Sequence, residues 1–141
     1  MTEKKEVRFV VPGEPCAKQR HRTTRTGHTY TPKKTVNYET LVKTTYADQC
    51  YGVFLEGQLK MYVAAYFSIP KSASKKRREA MLAGVIRPTK RPDWDNIGKI
   101  IADSLNKIAY DDDSQVVSAI VDKVYSDRAR VEVSIWEIGK D

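Results

Sequence analysis

The 141-residue chain has two cysteines, Cys16 and Cys50, and only two histidines, His21 and His28. The cysteines form no CxxC pair, so a zinc site is not expected, and reduced thiols fit better than a disulfide. The histidines have no ligand spacing and read as phosphate contacts or solvated side chains. No apolar run approaches the roughly 18 residues that cross a bilayer. The first six residues are charged and polar and lead straight into a strand-like run, unlike a secretory leader. A soluble, cytoplasmic protein with no membrane partner is expected. Repeats, low-complexity tracts and linkers are also lacking, and the length suits one domain spanning residues 1–141 around one core. One active site per chain follows.

Negative charge is missing from a whole segment. Between Pro15 and Tyr38 there is no acidic residue, while Lys18, Arg20, Arg22, Arg25, Lys33 and Lys34 accumulate there, giving a mobile basic loop. Overall 25 Lys and Arg face 18 Asp and Glu, a net charge of +7. That balance favours a polyanionic partner, with nucleic acid the first choice.

Apolar periodicity places the elements around this loop. Val7, Phe9 and Val11 alternate with other residues before Pro12-Gly13, which predicts a strand over 6–11. Tyr38, Leu41, Val42, Tyr46 and Gln49 recur at three- and four-residue spacing, which predicts a helix over 32–51 with one buried face. In 59–69 every odd position is apolar, the period of a strand packed on a core. Ser72 or Ser74 caps a short basic helix with Lys75, Lys76, Arg77 and Arg78 that ends near Gly84. Pro88 and Pro92 mark an extended approach to a helix over 93–106, capped by Asp95 or Asn96. Segments 115–125 and 129–138, rich in Val and Ile and separated by Ser126-Asp127-Arg128, read as a closing hairpin. The sum is an α+β fold, a mixed sheet packed by helices.

The chemistry is concentrated in Arg91-Pro92-Asp93-Trp94-Asp95-Asn96-Ile97-Gly98-Lys99, then Asp103, then Asp111-Asp112-Asp113-Ser114-Gln115. Helical spacing puts Asp95, Lys99 and Asp103 on one face and Ile97, Ile100, Ile101, Ser104, Leu105 and Ile108 on the other. If the approach to the helix is extended, Asp93 and Asp95 point the same way. A return of the chain past Tyr110 would bring Asp113 to them. Gathered carboxylates repel unless protonated or neutralised, and a hard divalent cation such as Mg²⁺, with Mn²⁺ as a substitute, resolves the repulsion. Such ions support phosphodiester hydrolysis, and Lys99 would face them or the phosphate. Taken singly, the pieces have plainer readings: turn and cap residues, a solvated acidic turn, surface ion pairs. Their conjunction in a basic protein points to a metal-dependent phosphodiesterase. Two alternatives stay open on the residues alone. One is a metal nuclease acting on another structured nucleic acid, and the other is a non-catalytic DNA-binding protein with structural acids.

The order Asp93-x-Asp95-Asn96-x-x-Lys99, Asp103-x-Leu105, Asp112-Asp113-x-Gln115 resembles the signature of the RusA family of Holliday-junction resolvases, and Gly13-x-Pro15 and the C-terminal strands extend the resemblance over most of the chain. It implies a crossover junction endodeoxyribonuclease of bacterial or prophage origin that acts in DNA recombination and repair. In this family a homodimer places symmetric nicks across branched DNA, the four-way junction. It further implies Asp93, Asp95, Lys99 and Asp113 as catalytic residues, with Asp93, Asp95, Asp113 and Asp112 holding the metal. Asp111 makes the acidic run one residue longer than the family pattern, and spacing to Gln115 favours Asp113. Segments 18–34 and 71–91 hold 14 of the 25 cations, so DNA contact is assigned to Lys18, Arg20, Arg22, Arg25, Lys33, Lys75, Lys76, Arg77 and Arg91. Tyr30 and Trp94 are candidate stacking residues, with Trp94 read first as core or dimer contact. Val131, Val133, Ile135 and Trp136 are the expected dimer surface.

Overall fold

The computed structural model describes residues 3–18, 22–30 and 32–140. Arg20 and His21 lie outside the described residues, and nothing is assigned to the side chain of Arg22. The chain runs β1 (Glu6–Pro12), β2 (Arg22–Thr23), β3 (Thr29–Tyr30), α1 (Lys33–Cys50), β4 (Gln58–Ser68), α2 (Lys75–Leu82), α3 (Trp94–Ser104), a 3-10 turn (Asp113–Gln115), β5 (Val116–Ser126) and β6 (Arg130–Gly139). Within the loop expected to be irregular, β2 and β3 pair as a small hairpin, Arg22 opposite Tyr30. Gly27, with φ 87°, lets its chain turn.

The four main strands lie in the order β1-β6-β4-β5. β6 is antiparallel to both β1 and β4, and β5 runs parallel to β4. The expected hairpin of the last two strands is therefore corrected: both strands exist, but β4 lies between them. The alternation of β4 explains its central place, because Leu59, Met61, Val63, Ala65 and Phe67 are all buried on one face. The register aligns rows across the sheet: Phe9, Val133 and Val63 in one, Val7, Ile135 and Met61 in the next. Val131, Val133 and Ile135 have no exposure at all. They belong to the core and cannot form a dimer surface, whereas Trp136 is partly exposed.

α1 packs on β1 and on α3, and α3 on β5. The Phe9 ring meets Tyr46 edge-on, centroids 5.3 Å apart. Thr35, Tyr38, Val42, Thr45, Tyr46 and Cys50 form the buried side of α1. Gln49 instead stands outside the core, and its amide bonds both the N–H and the C=O of Val10. Ile97, Ile100, Ile101 and Ser104 are the buried side of α3. Ile108 lies past the end of the helix and is 36% exposed, so it is not part of the apolar stripe. Gly98 allows close packing here, since a Cβ on it would come 3.2 Å from Cγ2 of Val121 on β5.

Candidate active site

Asp93 is the N-cap of α3, in extended conformation, with no side-chain capping bond. The cap is thus neither Asp95 nor Asn96, and Asp95 sits in the first helical turn. The two acids do not share a strand, so the reason for expecting them to point the same way fails. Asp95 accepts the N–H of Asn96 at 3.0 Å. Asp95, Lys99 and Asp103 then fall in line along α3 as the 3.6-residue repeat requires. Lys99 Nζ is 3.7 Å from Asp103 Oδ2. Trp94, at the helix start, is 64% exposed, which excludes it from the core.

Beyond Ser104 the chain doubles back onto the last turn of α3. Lys107 takes a left-handed φ of 66°. Its N–H bonds the carbonyl of Tyr110 at 2.8 Å. Tyr110 is fully buried, and its hydroxyl donates to the carbonyl of Ala102 at 2.7 Å. Burial, with the nearby Asp113, Asp103 and Asp112 carboxylates, raises the pKa of that phenol, so it stays neutral. Asn106 Oδ1 receives the N–H of Asp113 at 2.7 Å. Asp113 is thereby set against Asp103.

The acidic turn has its own frame. Asp112 Oδ2 accepts the N–H of Ser114, and Gln115 Oε1 accepts the N–H groups of Asp111 and Asp112, all at 3.0 Å. Gln115 Nε2 reaches back to the carbonyl of Gly57 at 3.1 Å. These bonds separate the three aspartates. Hydrogen bonds from Ser114 lower the pKa of Asp112. Asp111 is paired with Lys107. Asp113 goes the other way: burial and then its neighbour Asp103 raise its pKa, against the pull of Lys99.

Two residues join this site that the sequence did not place there. Lys18 Nζ lies 2.9 Å from Glu39 Oε2 on α1 and 3.6 Å from Asp103 Oδ2 on α3, and its backbone N–H bonds the carbonyl of Asn96 at 3.3 Å. The stem of the basic segment is thus tied to both helices. Glu39 carried one unread signal: it is the first acid after the acid-free segment. Arg25, Lys33, Lys75, Lys76, Arg77 and Arg91 are exposed. Ser74, rather than Ser72, caps α2 by accepting the N–H of Arg77 at 3.2 Å.

The acids fall at two ends of α3. Asp95 and Asp103 are eight residues apart, about 12 Å at 1.5 Å per residue. Asp93 and Asp95 both lie at the start of the helix, and Asp113 lies against Asp103 near its end. Among the described residues no three His, Cys, Asp or Glu side chains gather into one metal-binding group. The donor set still suits a hard divalent cation in kind, because it is all carboxylate oxygen. Asp113, crowded by Asp103, is where added positive charge would relieve most repulsion. Among the described residues no helix is long and apolar enough to cross a membrane.

The comparisons agree with the motif. An uncharacterized protein, YqaN, of Bacillus subtilis (strain 168) is 39% identical over 137 residues, covering 94% of this chain and 96% of its own length. The family described as Endodeoxyribonuclease RusA matches residues 12–136, from the last residue of β1 through the acidic line of α3 and the turn at Asp113 to most of β6. The chain belongs to the RusA endodeoxyribonuclease family.

Proposed function

We propose that this endodeoxyribonuclease resolves four-way DNA junctions in recombination and repair. It would act as a two-fold homodimer with Mg²⁺, or Mn²⁺ in its place, making paired symmetric nicks. The observation that carries the reading is the line Asp95, Lys99, Asp103 on α3 with Asp113 folded against its end, in a protein of net charge +7. Asp93 and Asp95 at one end of the helix, and Asp113 with Asp112 at the other, are the residues that would hold divalent ions. Such an ion, when bound, polarises a phosphodiester and lowers the pKa of water. Lys99, with 61% of its side chain exposed, is free to meet the charge that develops on the phosphate, while Asp103 restrains its ammonium. Arg25, Lys33, Lys75, Lys76, Arg77 and Arg91 are exposed and would meet backbone phosphates, and Arg20 and Arg22 are assigned with them by charge.

One chain offers one acidic helix with its single lysine, Lys99, and resolution needs two cuts, so two chains would be required. The test is a supercoiled cruciform plasmid with wild type, Asp113→Asn, and mixtures with excess Asp113→Asn, each with and without Mg²⁺. Wild type should give linear product, the variant should bind the junction without cutting, and the mixtures should give nicked circles. Cutting without metal, or near-normal cutting by Asp113→Asn, would remove Asp113 and its metal from the reaction. Linear product in proportion to wild-type chain alone would remove the dimer.

A further inference from the structure

Two depressions meet at Pro15, Cys16 and Lys34, and one of them reaches Asp93. One, of about 540 Å³, is lined by Pro15, Cys16, Ala17, Lys34, Arg91, Pro92, Asp93 and Asn96. The other, of about 480 Å³, runs along α1 past Asn37, Tyr38 and Leu41. Pro15, Cys16 and Lys34 line both, so together they form one groove from Asp93 to Tyr38.

Its chemistry is mixed in a way that suits one kind of ligand. Lys34 and Arg91 are exposed and in no ion pair among the described residues, whereas Lys18 nearby is doubly paired. The start of α1 adds positive potential, since it has no side-chain cap and no acid in its first turn. Glu14, the one acid lining the groove besides Asp93, is occupied by the N–H of Ser68 at 3.2 Å. Between the cations the wall is Pro15, Cys16, Ala17 and Pro92. Tyr38, only 8% exposed, lines the far part with the edge of its side chain, while its hydroxyl is buried behind the wall. Cations at the rim, an apolar wall and the edge of an aromatic side chain match the phosphate, sugar and base of an unpaired nucleotide. Each depression falls within the roughly 300–1,000 Å³ of small-ligand sites, the scale of one or two nucleotides.

We infer that this groove seats the single-stranded DNA flanking the scissile phosphate, with Lys34 and Arg91 on its phosphates and Tyr38 beside a base. The inference rests on the nuclease reading only in calling Asp93 the cutting end. The groove would supply the local strand separation that distinguishes a branch point from linear duplex.

The first arm of the test measures binding of fluorescein-labelled oligothymidylate in EDTA, so that no cutting is involved. Lys34→Ala/Arg91→Ala should weaken binding roughly tenfold and lower the slope of log K against log salt by about 1.4, or about 0.7 for each phosphate no longer neutralised. Lys43→Ala/Lys140→Ala, which removes equal charge elsewhere, should leave both near the parent values. Equal effects of the two double variants would reduce the groove to bulk charge and overturn the inference. In the second arm, 4-thiothymidine in the oligonucleotide is photo-crosslinked and the peptides mapped; adducts in residues 33–41 are expected, and adducts confined to α2 would also overturn it. If wild type binds the oligonucleotide in this way yet never nicks a junction in Mg²⁺, the groove stands and the junction reading falls.

Discussion

Replacing Gln115 by Ala removes three hydrogen bonds at once: those from the N–H groups of Asp111 and Asp112, and that to the carbonyl of Gly57. A net hydrogen bond contributes about 0.5–1.5 kcal/mol, and the two N–H groups are exposed enough for water to replace part of it. The expected loss is about 2 kcal/mol. For a domain of this size that lowers Tm by roughly 8 °C, measured by calorimetry at neutral pH without metal. The same bonds hold the turn that carries Asp112 and Asp113 onto the start of β4, so cleavage should fall further than the loss of folded protein explains. Gln115→Glu sharpens the test. One carboxylate oxygen can still accept both N–H groups, but the other must face the Gly57 carbonyl and adds charge beside three aspartates. It should therefore be the less stable variant at pH 7 and recover as the pH falls toward about 4.3. A Tm for Gln115→Ala within about 1 °C of the parent would refute the claim that this side chain frames the acidic turn.

Lys18→Ala leaves Glu39 without its cation and Asp103 with Lys99 alone, so kcat for junction cleavage should drop while the salt slope of DNA binding falls by less than the ~0.9 that one neutralised duplex phosphate contributes. A fall by that full amount would show that Lys18 binds phosphate instead. The Glu137 carboxylate accepts the N–H of Lys5 at 2.9 Å and of Glu56 at 2.7 Å, joining the starts of β1 and β4 to β6. Burial alone would raise its pKa, but those N–H groups prevail and lower it. Its stabilisation is therefore complete above the unfolded glutamate pKa and is lost as pH falls through the folded value. The Tm advantage of wild type over Glu137→Gln should shrink between about pH 5 and pH 3, and a constant difference would contradict the assignment.

Elements were legible where a local period determines them. The odd positions of β4 could hardly be anything but one face of a strand, and Ser72 and Ser74 announced α2, although only the structure shows that Ser74 is the cap. Pairing was not legible, because the Val and Ile of β5 and β6 identify strands without naming neighbours. A short link such as Ser126-Asp127-Arg128 is read as a hairpin unless something shows that β4 takes the place between. Asp95 and Asn96 were the expected caps, Asp93 is as good a cap on composition, and only the backbone shows where the helix begins. The acids of the site were visible from their spacing. Their separation to the two ends of α3, and the ties from Lys18 to Glu39 and Asp103, depend on how three distant segments meet.

β6 stands between β1 and β4, and Val7 finds its partner only at Ile135. While residues 130–139 are still within the ribosome, β1 has α1 but no strand partner, and β4 can pair only with β5. Such long-range closure comes late in folding, because the loop entropy must be given up before strand pairing offsets it. A nascent chain could therefore display the whole acidic motif of α3 and the turn at Asp113 without the sheet that supports them. The acidic helix thus gains its full support only once synthesis has passed β6.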